Sequence, residues 1–208
     1  FAALVFALKA FVLALAFRSF IAFIVFCGIS SVTYLINDLK DLEQDRIHPD
    51  KRKRALASGK LPQSVALTAV LIFLPFFLFL SFSISIFFGY IVLFYLALML
   101  AYTFFLKEVV ILDAFIIATG YVLRGIGGAV VINVSISSWF FICASFLALF
   151  IVFCKRRHEL ILLNEDAIIH RKILAEYNIA LLDQFISIVT ACTIVSYSIY
   201  TVATETVY

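Results

Sequence analysis

The densest chemistry in the chain lies in the run Asn37, Asp38, Leu39, Lys40, Asp41, Leu42, Glu43, Gln44 and Asp45. If the preceding apolar helix continues through this run, Asn37, Asp38, Asp41 and Asp45 fall within roughly a 100° arc and Glu43 points away. Carboxylates stacked on one stripe repel one another. A hard divalent cation relieves the repulsion, taking carboxylate and amide oxygens and keeping waters or phosphate oxygens in its remaining positions. The expected metal ligands are therefore Asn37, Asp38, Asp41 and Asp45, and Mg2+ bound to a diphosphate is the expected occupant. The bland alternative is a solvated acidic helix end.

The charge then changes sign. Residues 37 to 45 carry four acids and one lysine, a balance of -3, and residues 46 to 60 carry six bases and one aspartate, a balance of +5. Arg46, Lys51, Arg52, Lys53, Arg54 and Lys60 can hold phosphates, the arginines through a bidentate fork. A run that only sets topology and touches anionic lipid head groups is the alternative.

Further along, Asp113 and Arg124 stand inside an apolar segment, where an ionised group costs about 2.5 to 3.5 kcal/mol and so belongs in a polar cavity. They are three helical turns apart and point to nearly the same side, about 16 Å from each other along the axis. Lys107 sits just before them. A structural ion pair or snorkelling is the alternative for Arg124, and an interfacial anchor for Lys107. A second charged stretch holds Lys155, Arg156, Arg157, His158 and Glu159, then Asn164, Glu165, Asp166, His170, Arg171 and Lys172. His158 reads as a hydrogen-bonding loop residue and Asp183 as an interfacial one. Gly125, Ile126, Gly127 and Gly128 follow no strand, so they are not a nucleotide loop; small residues there let helices approach closely.

The elements that must position these groups follow from composition. Of 208 residues, 65% are hydrophobic and 14% charged, with 24 phenylalanines and a mean hydropathy of +1.14. Soluble domains run near 45 to 50% apolar and about 25% charged, so the chain is read as a single integral membrane domain over residues 1–208. Apolar segments stand at about 1–17, 19–36, 64–81, 84–106, 109–132, 138–154 and 179–203. None shows the two-residue alternation of a membrane barrel, and helices satisfy the backbone in lipid. The expectation is an all-α polytopic bundle of about seven transmembrane segments, with charged loops at 37–63 and 155–178. Lys9 interrupts the first segment, which reads as a truncated helix of a longer protein or as the lead-in to a longer second helix.

Of the sixteen Lys and Arg, seven lie between 40 and 60 and five between 155 and 172. Lys107 marks a third basic connection, whereas the turns near Ser83 and Asn133 to Ser137 are uncharged. Basic and uncharged connections alternate. The positive-inside rule makes the basic face cytoplasmic, so the chemistry is expected on that side of the plasma membrane. Cys27, Cys143, Cys154 and Cys192 lie in apolar segments without metal-binding spacing and read as packing residues.

The pattern N-D-x-x-D-x-x-x-D at a helix end, followed by a basic loop, resembles the first Asp-rich motif of the UbiA superfamily of intramembrane prenyltransferases. Asp45, Arg46, His48, Pro49, Lys51, Arg52, Arg54, Ala57, Ser58 and Gly59 are more narrowly similar to the branch that makes polyprenyl-phosphate phosphoribose, the decaprenyl-phosphate phosphoribosyltransferases. Lys107 with Asp113, then Tyr121, Val122, Leu123 and Arg124 with Ile126 and Gly128, resemble the same branch. So does K-R-x-x-E from Lys155, where ring-prenylating relatives carry a second Asp-rich motif. One departure is Ala55, where the family usually has proline.

The resemblance implies a Mg2+-dependent transferase that moves 5-phosphoribosyl from phosphoribosyl diphosphate to a polyprenyl phosphate. Asp38, Asp41 and Asp45 carry catalysis through the metal in this reading. Asn37, Lys51, Arg52, Arg54, Lys107, Asp113, Arg124, Lys155, Arg156 and Glu159 contact substrate. The lipid acceptor, the sugar donor and membrane lipids are the expected partners; nucleic acid is not. The rivals are an aromatic prenyltransferase of the same superfamily and, from another class, a membrane carrier or lipid-binding protein.

Overall fold

The computed structural model describes residues 2–6, 9, 11–47, 50–163 and 177–203. His48, Pro49, Asn164, Glu165, Asp166, His170, Arg171 and Lys172 lie outside them. The described residues form helices α1 (Ala2–Phe6), α2 (Leu13–Lys40), α3 (Leu42–Ile47), α4 (Gln63–Ile84), α5 (Ile86–Phe104), α6 (Leu112–Val131), α7 (Ser138–Leu163) and α8 (Ile179–Val202), with 3-10 turns at Lys51–Lys53 and Leu106–Glu108. Six of these helices are long and apolar enough to cross a membrane. The expected all-α, polytopic fold is thus observed, with six spans among the described residues against about seven expected. The first two apolar segments resolve into the short α1 and a long α2 that starts at Leu13.

The chain divides into two compact units, residues 1–104 with 127–134, and 105–126 with 135–208. In the first, α2 packs on α4 and α5. Phe26 meets Phe88 and Tyr95 edge-on, at 5.5 and 5.7 Å between ring centroids, and Ser30 Oγ pairs with the Tyr95 hydroxyl at 3.1 Å. A Cβ on Gly127 would stand 2.6 Å from the Phe26 ring, which is the close approach expected of the small-residue run. Gly125, by contrast, faces open space. In the second unit, Ala114, Ala118 and Ala148 are buried beside Leu149, Val152, Phe153, Leu182 and Val189. Asn178 caps α8 by accepting the Leu181 amide at 2.6 Å, which supplies one of the donors a helix start leaves unmet.

Helix length puts the charges where they can act. At 28 residues α2 is about 42 Å long, and at 26 residues α7 is about 39 Å, both longer than the roughly 30 Å hydrocarbon core. Each is therefore long enough to carry a charged last turn or two beyond the lipid. The stretch expected as a loop from residue 155 is helical through Leu163. Lys, Arg, Glu and Leu are good helix formers, and Arg156 pairs with Glu159 one turn on.

Candidate functional site

In the first unit the Asp-rich run is a helix with one break. Asp41 ends α2 at φ -95°, ψ 10°, its amide donating to Asn37 O, and α3 resumes at Leu42 with the Asp45 amide bonded to Asp41 O at 2.8 Å. The break is slight enough that Asp38 and Asp45, two turns apart, still meet. They meet at an arginine: Arg54 Nη1 donates to Asp38 Oδ1 at 2.7 Å and to Asp45 Oδ2 at 2.9 Å. The side chain of Asp45 is only 5% exposed, that of Asp38 25% and that of Arg54 41%. Glu43 is exposed, as the stripe geometry expects.

The arginine is placed by its neighbours. Leu56 is buried with Leu42 and Ala66 in a small core flanked by Leu35, Leu39, Ala57 and Leu61. The turn closes through Leu61 N to Ala55 O at 2.9 Å and Ser58 N to Arg54 O at 2.9 Å, with Gly59 at φ +77°, a left-handed position that suits glycine. Arg54 itself lies at φ -60°, ψ 151°, the extended conformation a following proline would impose. The loop has kept that shape with Ala55. Lys51 and Arg52 stand on the preceding 3-10 turn, Arg52 exposed, and Lys53 pairs with Asp50 at 3.6 Å.

The residues fit a hard cation in donor chemistry. Asn37 Oδ1, one residue before Asp38, is buried without a hydrogen-bond partner, and the carboxylates of Asp38 and Asp45 are gathered on one Arg54 nitrogen. Among the described residues, however, no three His, Cys, Asp or Glu side chains converge closely enough to hold a metal. The expected four-ligand stripe is therefore not preformed: the break at Asp41 interrupts it and Arg54 supplies the positive charge between Asp38 and Asp45.

The second unit holds a separate, buried network. Asp113, fully buried, accepts Arg156 Nε at 2.9 Å and Nη2 at 2.7 Å on Oδ2, and the Tyr177 hydroxyl at 2.8 Å on Oδ1. Arg156 Nη1 reaches Glu159 Oε2 at 2.8 Å. The Tyr177 oxygen in turn accepts the amide of Ile111 at 2.7 Å. Ile111 lies at φ 68°, a strained setting for a β-branched residue, within a three-residue turn closed by Leu112 N to Val110 O at 2.7 Å.

Several expectations are redrawn here. Arg156, expected to grip substrate, has a side chain 3% exposed with both faces of its guanidinium on carboxylates. Desolvation explains this, because a buried Asp113 requires a bound counter-charge. That partner is Arg156, not Arg124, which lies over the Tyr121 ring at 5.3 Å. Lys155 is exposed on α7 and Lys107 half-buried on its 3-10 turn. Arg157 pairs with Asp183, tying α7 to α8. Tyr177 went unforeseen in the sequence. Its one signal is position, directly before the Asn178 cap of an apolar run.

The chain matches the UbiA prenyltransferase family over residues 1–207. It belongs to that family. It is 36% identical over 157 residues to the decaprenyl-phosphate phosphoribosyltransferase of Mycolicibacterium smegmatis, covering 76% of this chain and 49% of that protein. It is 34% identical over 186 residues to the enzyme of the same name from Corynebacterium glutamicum, covering 86% of this chain and 55% of that protein. The chain thus spans about half the length of these curated relatives. The structure of a UbiA homologue from Archaeoglobus fulgidus bound to GPP and Mg2+ superposes with a TM-score of 0.77 at 16% identity, covering 91% of this chain and 69% of that one. That likeness establishes the fold; the family and the six long apolar helices make the chain a multi-pass membrane protein.

Proposed function

We propose that this UbiA family chain carries the donor-binding part of a Mg2+-dependent transferase that moves 5-phosphoribosyl from phosphoribosyl diphosphate to a polyprenyl phosphate. The observation that carries the reading is the Asp38–Asp45 pair, joined through Arg54 of the basic turn, together with the buried, unpartnered oxygen of the preceding Asn37. The names of the two relatives support the choice of substrates.

The acceptor phosphate oxygen attacks C1 of the ribose as the C1–O bond to diphosphate breaks, and diphosphate leaves with the electron pair. The acceptor is already an anion, so no strong general base is required. Asn37, Asp38, Asp41 and Asp45 would hold Mg2+, which when bound offsets the charge of the leaving diphosphate. Lys51 and Arg52 meet the same charge as it develops. Lys107, Arg124 and Lys155 remain candidates for substrate contacts. Asp113, Arg156, Tyr177 and Glu159 act as the frame that fixes the end of α7 rather than as direct contacts. The active site faces the cytoplasm in this reading, where a water-soluble sugar diphosphate is available, and the lipid phosphate enters from the bilayer.

Membranes bearing the protein should transfer label from phosphoribosyl diphosphate into the lipid phase when polyprenyl phosphate and Mg2+ are supplied. Transfer of a prenyl group from prenyl diphosphate to an aromatic acid instead would make the protein an aromatic prenyltransferase.

A further inference from the structure

Arg54 occupies a chemically specific place. A single nitrogen, Nη1, lies between Asp38 Oδ1 and Asp45 Oδ2 at 2.7 and 2.9 Å, so one positive group answers two carboxylates. The Asp45 side chain is 5% exposed, so Arg54 is the charged partner that its burial calls for. Yet the arginine leaves the set incomplete. A guanidinium has only donors and could satisfy the Asn37 oxygen, but that buried atom has no hydrogen-bond partner. The backbone of Arg54 is fixed by the buried Leu56 two residues on. Its side chain is long and 41% exposed, so the guanidinium can swing away by side-chain rotation alone.

We propose that Arg54 is the resident counter-cation of the metal-free Asp38–Asp45 pair, and that it is exchanged for the metal only when a diphosphate arrives with it. This rests on the metal-dependent reading above and adds a positioning role to Arg54. A bare divalent cation must evict Arg54 and strand its charge. A cation carrying diphosphate evicts the same arginine and gives it a new anionic partner, to which a guanidinium binds through a charge-assisted fork. The two ligands therefore bind with positive coupling beyond that from direct coordination of diphosphate by the metal, and Arg54 supplies the added part. Coupling of this kind is reciprocal and commonly 5- to 150-fold in affinity.

The test is a titration of Mn2+, followed by its EPR signal, into the protein in lipid nanodiscs with and without inorganic diphosphate. In the wild type, diphosphate should tighten Mn2+ binding by about fivefold or more. Arg54→Ala should bind Mn2+ alone more tightly than the wild type and show a smaller enhancement, only the part from direct metal–diphosphate coordination remaining. Arg54→Gln, which keeps an amide donor for the carboxylates, should fall between them and serves if the alanine variant does not fold. Thermal unfolding gives a second readout: the stability lost by the Arg54 variants in chelator should largely vanish with Mn2+ and diphosphate together.

The proposal is overturned if Arg54→Ala or Arg54→Gln weakens Mn2+ binding equally with and without diphosphate, or leaves the enhancement intact. In both cases Asp38→Asn must still abolish binding, and the metal-dependent reading survives. If the wild type binds no Mn2+ even with diphosphate, that reading falls and takes the exchange with it.

Discussion

The hydroxyl of Tyr177 donates to Asp113 Oδ1 at 2.8 Å while its oxygen accepts the Ile111 amide at 2.7 Å. One phenol thus ties the start of α8 to a buried carboxylate and to a strained turn at the start of α6. A left-handed isoleucine costs on the order of 1 to 3 kcal/mol and persists only where its surroundings hold it. Tyr177→Phe removes both bonds, one of them to a fully buried carboxylate. The expected loss is about 1 to 3 kcal/mol, read as a lower Tm or denaturant midpoint. A loss below about 0.5 kcal/mol would place the hold on Ile111 elsewhere.

The same phenol predicts an alkaline signature. Burial, followed by the hydrogen bond and negative charge of Asp113, raises the Tyr177 pKa above its ordinary value of 10.0, against smaller opposing pulls from the Ile111 amide and Arg156. The folded state therefore holds this proton more tightly than the unfolded state. Its stabilising contribution is complete below about pH 10 and declines as pH rises from there toward the raised folded value. Stability of the wild type should fall above about pH 10 with a component that Tyr177→Phe lacks, measured as Tm against pH for the two proteins.

Asp113 and Arg156 should behave as a unit. Arg156→Met leaves a fully buried carboxylate without its counter-charge, at a cost of about 3 to 5 kcal/mol. Adding Asp113→Asn should recover a substantial part of that, because the stranded charge is gone. Unfolding of the two single variants and the double variant in one membrane mimetic decides it. Strict additivity would mean that the pair is not coupled.

Much of this arrangement was legible in the sequence because lipid leaves few options: long apolar runs can only be helices, and α2, α4, α5, α6, α7 and α8 each correspond to one. That Asp38 and Asp45 share a side and Glu43 does not was legible from a period of 3.6 residues, whereas the break at Asp41 within the expected stripe was not. Partner choice was not. Nothing local says that Arg54, sixteen residues from Asp38, rather than Arg52 will reach the carboxylates; that follows from how Leu56 docks on Leu42 and Ala66. Nor does local sequence tell that Arg156 turns inward to Asp113 while Lys155 stays out. Those choices are made by desolvation across 43 residues of chain.

Loop 54–61 offers a test of backbone preorganisation. Arg54 already has the φ -60°, ψ 151° that a following proline enforces, and the Ala55 carbonyl, which proline retains, accepts Leu61 N. Ala55→Pro should therefore stabilise the protein by about 0.4 to 1 kcal/mol through the unfolded chain, without loss of activity. A fall in Tm would show that the Ala55 amide or its φ is incompatible with the ring.

The last prediction separates donor binding from acceptor binding. On the proposed reading the donor, phosphoribosyl diphosphate, carries a 5-phosphate as well as its diphosphate, so basic residues are needed to hold it besides a metal on the Asp face. Arg52 and Lys155 are exposed basic residues on the two charged segments, and among the described residues neither is used up in an ion pair as Arg54 and Arg156 are. Removing one charged hydrogen bond costs about 1.5 to 3 kcal/mol, a factor of roughly ten to a hundred or more. Arg52→Ala and Lys155→Ala should therefore raise KM for phosphoribosyl diphosphate by such a factor and leave KM for polyprenyl phosphate nearly unchanged. Asp38→Asn should abolish turnover altogether, and Glu43→Gln, exposed and off the stripe, should change little. Steady-state kinetics with each substrate varied in turn checks all four. Equal losses from Asp38→Asn and Glu43→Gln would mean that acidity alone, and not the shared face, carries the site.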